Sequence, residues 1–334
     1  MFILNILDYS PIDEGATAHE ALLHTTELAK RAEELGYHRF WVAEHHHVLS
    51  VASSSPEMLM MHLATSTKLI RIGSGGVMLP HYSPYKVAEN FRMLEALHPN
   101  RIDLGLGRSP SYQIVNRALN ETKGKRLSYE QQVQDLYQFL SDQPSENHRF
   151  NGLIATPVIE TTPEIWMLGS SLGSAQIAAE NGAAYAFAHF GKPSSAGVEA
   201  IAHYRKQFKP SQFLEKPKVM IAVFAIIAET AEKAEALAKA FDLWLLFVES
   251  STPPPYYPSI QTAIKRGISS SEKEKVMQNR KRMIIGTAEQ VKEKIMRTAD
   301  QYQADEVTII PNFYGANNRM EGIALLAKAF GLQR

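Results

Sequence analysis

Cysteine is absent from all 334 residues. That excludes disulfides, thiolate metal sites and a cysteine nucleophile, and it suits a reducing compartment, so a cytoplasmic protein is expected. Neither sign of charge is in excess: Lys+Arg and Asp+Glu number 35 each. No basic cluster interleaved with aromatics stands out, so no nucleic-acid partner is expected. No apolar run approaches the ~20 residues that a membrane span needs. The stretch Met1-Phe2-Ile3-Leu4-Asn5-Ile6-Leu7-Asp8 lacks a basic n-region and reads as a strand, not a signal peptide. Repeats and low-complexity tracts are missing too. What remains is a globular composition, 45% hydrophobic and 21% charged, at a length that one α/β barrel accommodates.

The chain is organised around Arg71-Ile72-Gly73-Ser74-Gly75-Gly76-Val77-Met78-Leu79-Pro80. Its apolar flanks read as a buried strand, interrupted by three glycines. Glycine weakens a strand and packs nothing. Such a stretch either lets a flat guest lie against bare backbone or forms a bulge or tight barrel corner.

Seven further strands are predicted, over residues 2–7, 40–43, 101–106, 165–168, 184–188, 219–227 and 306–310. A helix follows each strand. The first, over 17–35, has apolar residues at helical spacing and Gly36 as its C-cap. Ser55-Pro56 and Ser83-Pro84 place serine at N-cap and proline at the first helical position. Others are expected over 126–140, up to Asn181-Gly182, over 195–207 and over 230–247. Thr287 with Gln290 forms a capping box for the next, and a final helix closes the chain. Asn151-Gly152 suggests a small hairpin at 149–153.

Eight strand–helix units imply a parallel sheet closed as a (β/α)8 TIM barrel. The alternative, an open doubly wound sheet, wants a glycine-rich first turn, and Asp8-Tyr9-Ser10-Pro11 is not one. One domain over 1–334 is expected, with insertions at about 141–162 and 249–283. The prolines from Pro253 to Pro258 make the second insertion a candidate lid.

The unusual residues gather at strand C-termini, which share the active face of such a barrel. Gly169-Ser170-Ser171-Leu172-Gly173-Ser174 joins backbone N–H groups and hydroxyls to a helix N-terminus. It reads as a phosphate site, or as simple N-capping by Ser171 or Ser174. Arg108 adds a bidentate cation, or else makes a surface salt bridge. Glu44-His45-His46-His47 invites a metal, but neighbouring histidines diverge and no second cluster completes a set. No metal is expected; one of these histidines is read as an acid–base group titrating near neutrality.

Together, Ala43-Glu44-His45-His46, the glycine stretch, Arg101-Ile102-Asp103-Leu104-Gly105-Leu106-Gly107-Arg108 and Gly169-Ser170-Ser171 resemble the signature stretches of the bacterial luciferase-like flavin-dependent monooxygenases, in family order. The resemblance covers essentially the whole chain. It implies FMN at the C-terminal face, reduced by a separate reductase, and O2 adding at the flavin C4a to give a peroxide that oxidises a small-molecule substrate. A homodimer is expected. His45 matches the family's active-site histidine. Gly75-Gly76 matches a pair joined by a non-proline cis bond beside the ring. Arg108, Gly169, Ser170, Ser171 and Ser174 match the phosphate side, and Arg126 joins them. Gly107 stands where the luciferase catalytic subunit carries a reactive cysteine, so light emission gains no support, and Ser170 stands where it has a carboxylate, which leaves the phosphate pocket less negative. Alternatives are F420-dependent hydride transfer, a flavin-binding protein without catalysis, and a metal-dependent barrel hydrolase.

Overall fold

A computed structural model describes residues 2–108, 112–121, 124, 127–141, 145–191, 195–250 and 254–333. The chain alternates strand and helix from the start: β1 (Ile3–Asp8), α1 (Ala18–Glu34), β2 (Arg39–Val42), α2 (Pro56–Ser66), then β3 (Arg71–Ser74) and β4 (Val77–Met78). Next come α3 (Pro84–Leu97), β5 (Ile102–Gly107), α4 (Gln113–Asn120), α5 (Tyr129–Leu140), β6 (Glu164–Gly169), α6 (Leu172–Glu180), β7 (Ala184–Ala188) and α7 (Ser195–Gln207). The last third holds β8 (Val219–Ala228), α8 (Ala231–Val248), α9 (Ile260–Arg266), α10 (Lys273–Arg280), β9 (Met283–Thr287), α11 (Ala288–Tyr302), β10 (Glu306–Ile310) and α12 (Ala316–Phe330).

All strand pairs are parallel, in the order β10-β1-β2-β3-β5-β6-β7-β8, and β10 returns to β8. The sheet is therefore a closed eight-stranded barrel, as expected. Two strands were not legible in the sequence. The two-residue β4 pairs with β5. The ten-residue β8 pairs with β10 through Phe224, and from Phe224 onward with β9. So β9 is the return of the late insertion, not a barrel stave.

Local signals set the helix ends. Thr17 and Glu20 form a capping box on α1, and Thr287 and Gln290 form one on α11. Ser55 and Ser83 precede their prolines as expected, yet neither side chain caps. The helix expected at 126–140 begins at Tyr129, and α4 precedes it. The expected hairpin at 149–153 is a turn: no strand occurs among the described residues of 141–162, and Gly152 has φ +81.

Side chains point alternately into the barrel. The inward set forms layers. At the floor, Asn5, Arg39, Arg71, Asp103, Glu164, Lys218 and Glu306 make one polar network. Arg39 bonds Asp103 at 2.7 Å and Glu306 at 2.8 Å, and reaches Glu164 at 3.0 Å. Trp41 also donates to Asp103, at 2.8 Å. Above it lies a small apolar cavity of ≈ 50 Å³ on the axis, lined by Leu7, Trp41, Leu168, Met220 and Thr308 among others. At the C-terminal mouth Tyr9 meets His45 and Phe224, and Phe224 meets Phe190, which also borders the cavity; Ser170 and Asn312 follow the C-terminal ends of β6 and β10.

The glycine stretch is explained by this packing. A Cβ on Gly105 would lie 2.0 Å from the Ser74 carbonyl oxygen, and one on Gly73 2.4 Å from Trp41 Nε1. One on Gly76 would lie 2.6 Å from the Gly105 oxygen. Neighbouring protein atoms by themselves exclude a side chain at these three. Only Gly75 borders the axial cavity. The Gly75–Gly76 bond is cis, as the resemblance implied.

Candidate active site

The mouth of the barrel combines an open cationic side and a shielded apolar side. On the open side, Leu106 pairs with Met167, so Arg108 and Gly169 emerge from adjacent strands at one level. Arg108 is exposed and makes no hydrogen bond or ion pair with a described residue. Gly169 leads into exposed Ser170 and the N-terminus of α6. Ser171 and Ser174 form a capping box there, and the Ser174 hydroxyl also meets the Tyr185 hydroxyl at 3.0 Å. Their hydroxyls thus do the N-capping that the sequence left as one option. The N–H groups of Leu172 and Gly173, in the first turn of α6, have no partner within the helix. Gly169 could carry no side chain, since a Cβ would lie 2.1 Å from Ser174 Oγ. Arg126 lies outside the described residues.

Tyr129 was not singled out in the sequence. Its hydroxyl is buried without a partner among the described residues, and burial pushes its pKa far up, offset in part by the nearby Arg108 charge. A hydrophobic-looking tyrosine opening a helix gives no local hint of that position.

On the shielded side, the three consecutive histidines go three ways. His47 packs on Tyr112 and His46 Nε2 bonds Glu44 at 2.7 Å. His45 stands edge-on to Tyr9, ring centroids 4.7 Å apart, with its Nε2 buried and unpartnered among the described residues. Glu44 is the organiser: its buried carboxylate also accepts from Met78 N at 2.8 Å and Tyr82 Oη at 2.7 Å. It thereby fixes the chain just beyond the cis bond. The sequence had marked Glu44 only as a neighbour of His45. No group of three or more His, Asp or Glu side chains among the described residues is placed to hold a metal.

The expectation that His45 titrates near neutrality is corrected. Burial first, and the His46 charge second, push its pKa down from 6.5 to about 4. It is a neutral hydrogen-bonding group at pH 7. Because the folded value lies below the unfolded one, its contribution to stability is present above pH 6.5 and is lost as pH falls toward 4. The pH profile of kcat/KM should therefore show no His45 limb near pH 6.5. A limb there that vanishes in His45→Gln would contradict this.

The late insertion is tied to the barrel through its described part. Tyr257 is fully buried, stacks on Trp244 with centroids 5.4 Å apart, and donates to the Asn312 carbonyl at 2.9 Å. Arg280 bonds Glu235 at 2.8 Å and Asp242 at 2.6 Å. Arg282 donates to the Phe190 carbonyl at 2.6 Å. Residues 254–283 are thus packed against the barrel in this structure; Pro253 lies outside the described residues.

Residues 4–304 match the family model described as luciferase-like monooxygenase. The chain is 46% identical to Bacillus subtilis YwcH over 99% of both chains. It is 36% identical to the N-acetyl-S-alkylcysteine monooxygenase of Bacillus subtilis over 98% of both. The crystal structure of apo-MsnO8 superposes with a TM-score of 0.91 at 32% identity, covering 100% of this chain and 99% of that one. At 15% identity the fold alone is shared with two others. One is the FMN complex of the 3,6-diketocamphane monooxygenase oxygenating constituent from Pseudomonas putida, with a TM-score of 0.68. The other is an F420-dependent secondary alcohol dehydrogenase, with a TM-score of 0.69.

Proposed function

Because the chain belongs to the luciferase-like monooxygenase family, we propose that it is the oxygenase component of a two-component system, taking reduced FMN from a flavin reductase and using O2 to oxidise a small organic molecule. The observation that carries this reading is Arg108 without an ion-pair partner among the described residues, at the strand end beside the α6 N-terminus. A dianionic phosphate fits there: Arg108 offers two parallel N–H donors and α6 its first-turn N–H groups. Gly75 borders the apolar axial cavity, and His45 Nε2 is buried without a partner among the described residues.

Bound there, reduced FMN would supply the two electrons that activate O2. The chain's own tasks are positioning and exclusion. Arg108 and the N–H groups of Leu172 and Gly173 hold the phosphate, with Ser170 at the same opening. Arg126 is assigned to this side on the resemblance alone. His45 stays neutral and donates or accepts one hydrogen bond at Nε2. Tyr9, Phe190 and Phe224 keep water from the reacting end, which limits wasteful release of hydrogen peroxide.

The protein is proposed to work in the cytoplasm as a homodimer. Exposed Met58, Met93 and Leu97 on α2 and α3 form the apolar face that a second copy would cover. No helix among the described residues is long and apolar enough to cross a membrane.

The test mixes protein loaded with reduced FMN with O2 and follows oxygen uptake and peroxide release. Flavin-dependent uptake is expected, with peroxide falling when an accepted substrate is added. Saturable binding of reduced F420 but not reduced FMN would replace this reading with hydride transfer.

A further inference from the structure

Asn312 carries a signal that no role described so far absorbs. It is 3% exposed, and neither its Oδ1 nor its Nδ2 has a hydrogen-bond partner among the described residues. Buried polar side chains are nearly always paired, so a wholly orphaned carboxamide marks a place where a partner belongs. Its position says which kind. Along β10 and beyond, Glu306 joins the floor network and Thr308 lines the axial cavity. Asn312 lies just past the end of β10, on the mouth side of the barrel, in a turn where Phe313 N donates to the Pro311 carbonyl at 3.0 Å. The Phe313 ring packs on Gly322 of α12.

The carboxamide is held there from behind. Its residue's carbonyl accepts from Tyr257, which stacks on Trp244, and Trp244 packs on Phe241. Phe241 meets Phe224, Phe224 meets Tyr9, and Tyr9 meets His45. A continuous aromatic wall therefore runs from Asn312 to the other orphaned mouth group, His45 Nε2. No aromatic of this wall offers the carboxamide a bond.

We propose that Asn312 is a ligand-binding residue that receives an amide or imide edge at the mouth. A carboxamide presents a carbonyl acceptor beside N–H donors in one plane. The group that satisfies both at once is its complement, an N–H beside a carbonyl, as in a lactam or an imide. A lone water would meet both atoms less well, and an apolar group would meet neither. Two sources offer this chemistry: the pyrimidine edge of a flavin, or an amide on the substrate. The first source rests on the FMN reading above; the second does not.

The test uses Asn312→Leu, similar in size and without polar atoms, with Asn312→Ser as a second variant should the first not fold. Ligand-free Tm, FMN affinity and affinity for 2-pyrrolidinone are measured against wild type. Ligand-free Tm should be unchanged or raised in Asn312→Leu, since an orphaned polar group is removed. If the flavin edge is the partner, FMN affinity falls about tenfold or more. Wild type then also discriminates against FMN methylated at N3, and the variant does not. If a substrate amide is the partner, FMN affinity holds while 2-pyrrolidinone binding is lost. The N-methylated lactam should then bind wild type and variant alike. Wild type that binds the lactam but not FMN removes the flavin reading and leaves this inference standing. A lower ligand-free Tm with both affinities unchanged overturns it, as does wild type that binds neither probe.

Discussion

Arg39→Met is expected to destabilise the fold by about 3–5 kcal/mol, a fall in Tm of roughly 6–20 °C. Arg39 is 1% exposed at the floor of the barrel. Three cations, Arg39, Arg71 and Lys218, face three carboxylates, Asp103, Glu164 and Glu306. Removing Arg39 leaves the fully buried Asp103 and Glu306 short of their central partner. The lost term is then an uncompensated buried charge, larger than any surface pair. The pH dependence identifies the cause. Burial alone would raise both carboxyls, but Arg39 outweighs it, with Arg71 on Asp103 and Lys218 on Glu306, and holds them below their usual range. That stability is present above the unfolded carboxylate values of about 4 and is lost as pH falls through the folded ones. The gap between wild type and Arg39→Met should therefore narrow in acid. Adding Glu306→Gln should recover part of it at pH 7. A change near 1 kcal/mol or below, measured by denaturant titration, would mean that the network is worth little.

Arg108→Ala should weaken FMN binding about 10- to 100-fold and riboflavin binding by no more than about twofold. Arg108 has no competing carboxylate among the described residues, so its guanidinium is available for an anion. It sits one strand from the α6 N-terminus, whose first-turn N–H groups would add to the proposed site. Riboflavin has the ring and the ribityl chain but no phosphate, so it samples every other contact. Arg108→Lys should recover the charge but not the fork, and so only part of the affinity. Fluorescence titration of both flavins reads the two effects in one experiment. Equal losses for FMN and riboflavin would move the phosphate elsewhere.

The sequence was most legible where structure is set by near neighbours. Strand β7 and helix α7 were read with their observed bounds, because apolar period and caps are local signals. The eight barrel strands followed for the same reason. Short elements escaped: β9 is five residues after a charged helix, and α4 is one eight-residue helix inside a long connection. The floor network escaped because its bonds join distant residues, as Asn5 does with Glu306 at 2.7 Å. The glycines were seen but left between two readings, since a strand packed against Gly105 leaves the same sequence mark as a ligand would. His45 was placed at the mouth, but burial, which decides its pKa, is a tertiary property. Asn312 follows Pro311 and reads as a turn; only its missing partners single it out.

The central claim is that the mouth of this barrel is a flavin-phosphate site. Titrating the wild-type protein with reduced FMN and with reduced riboflavin under anaerobic conditions tests it most directly. The account predicts saturable binding of one FMN per chain and binding of riboflavin at least about tenfold weaker. No saturable FMN binding, or equal affinity for the two flavins, would contradict it.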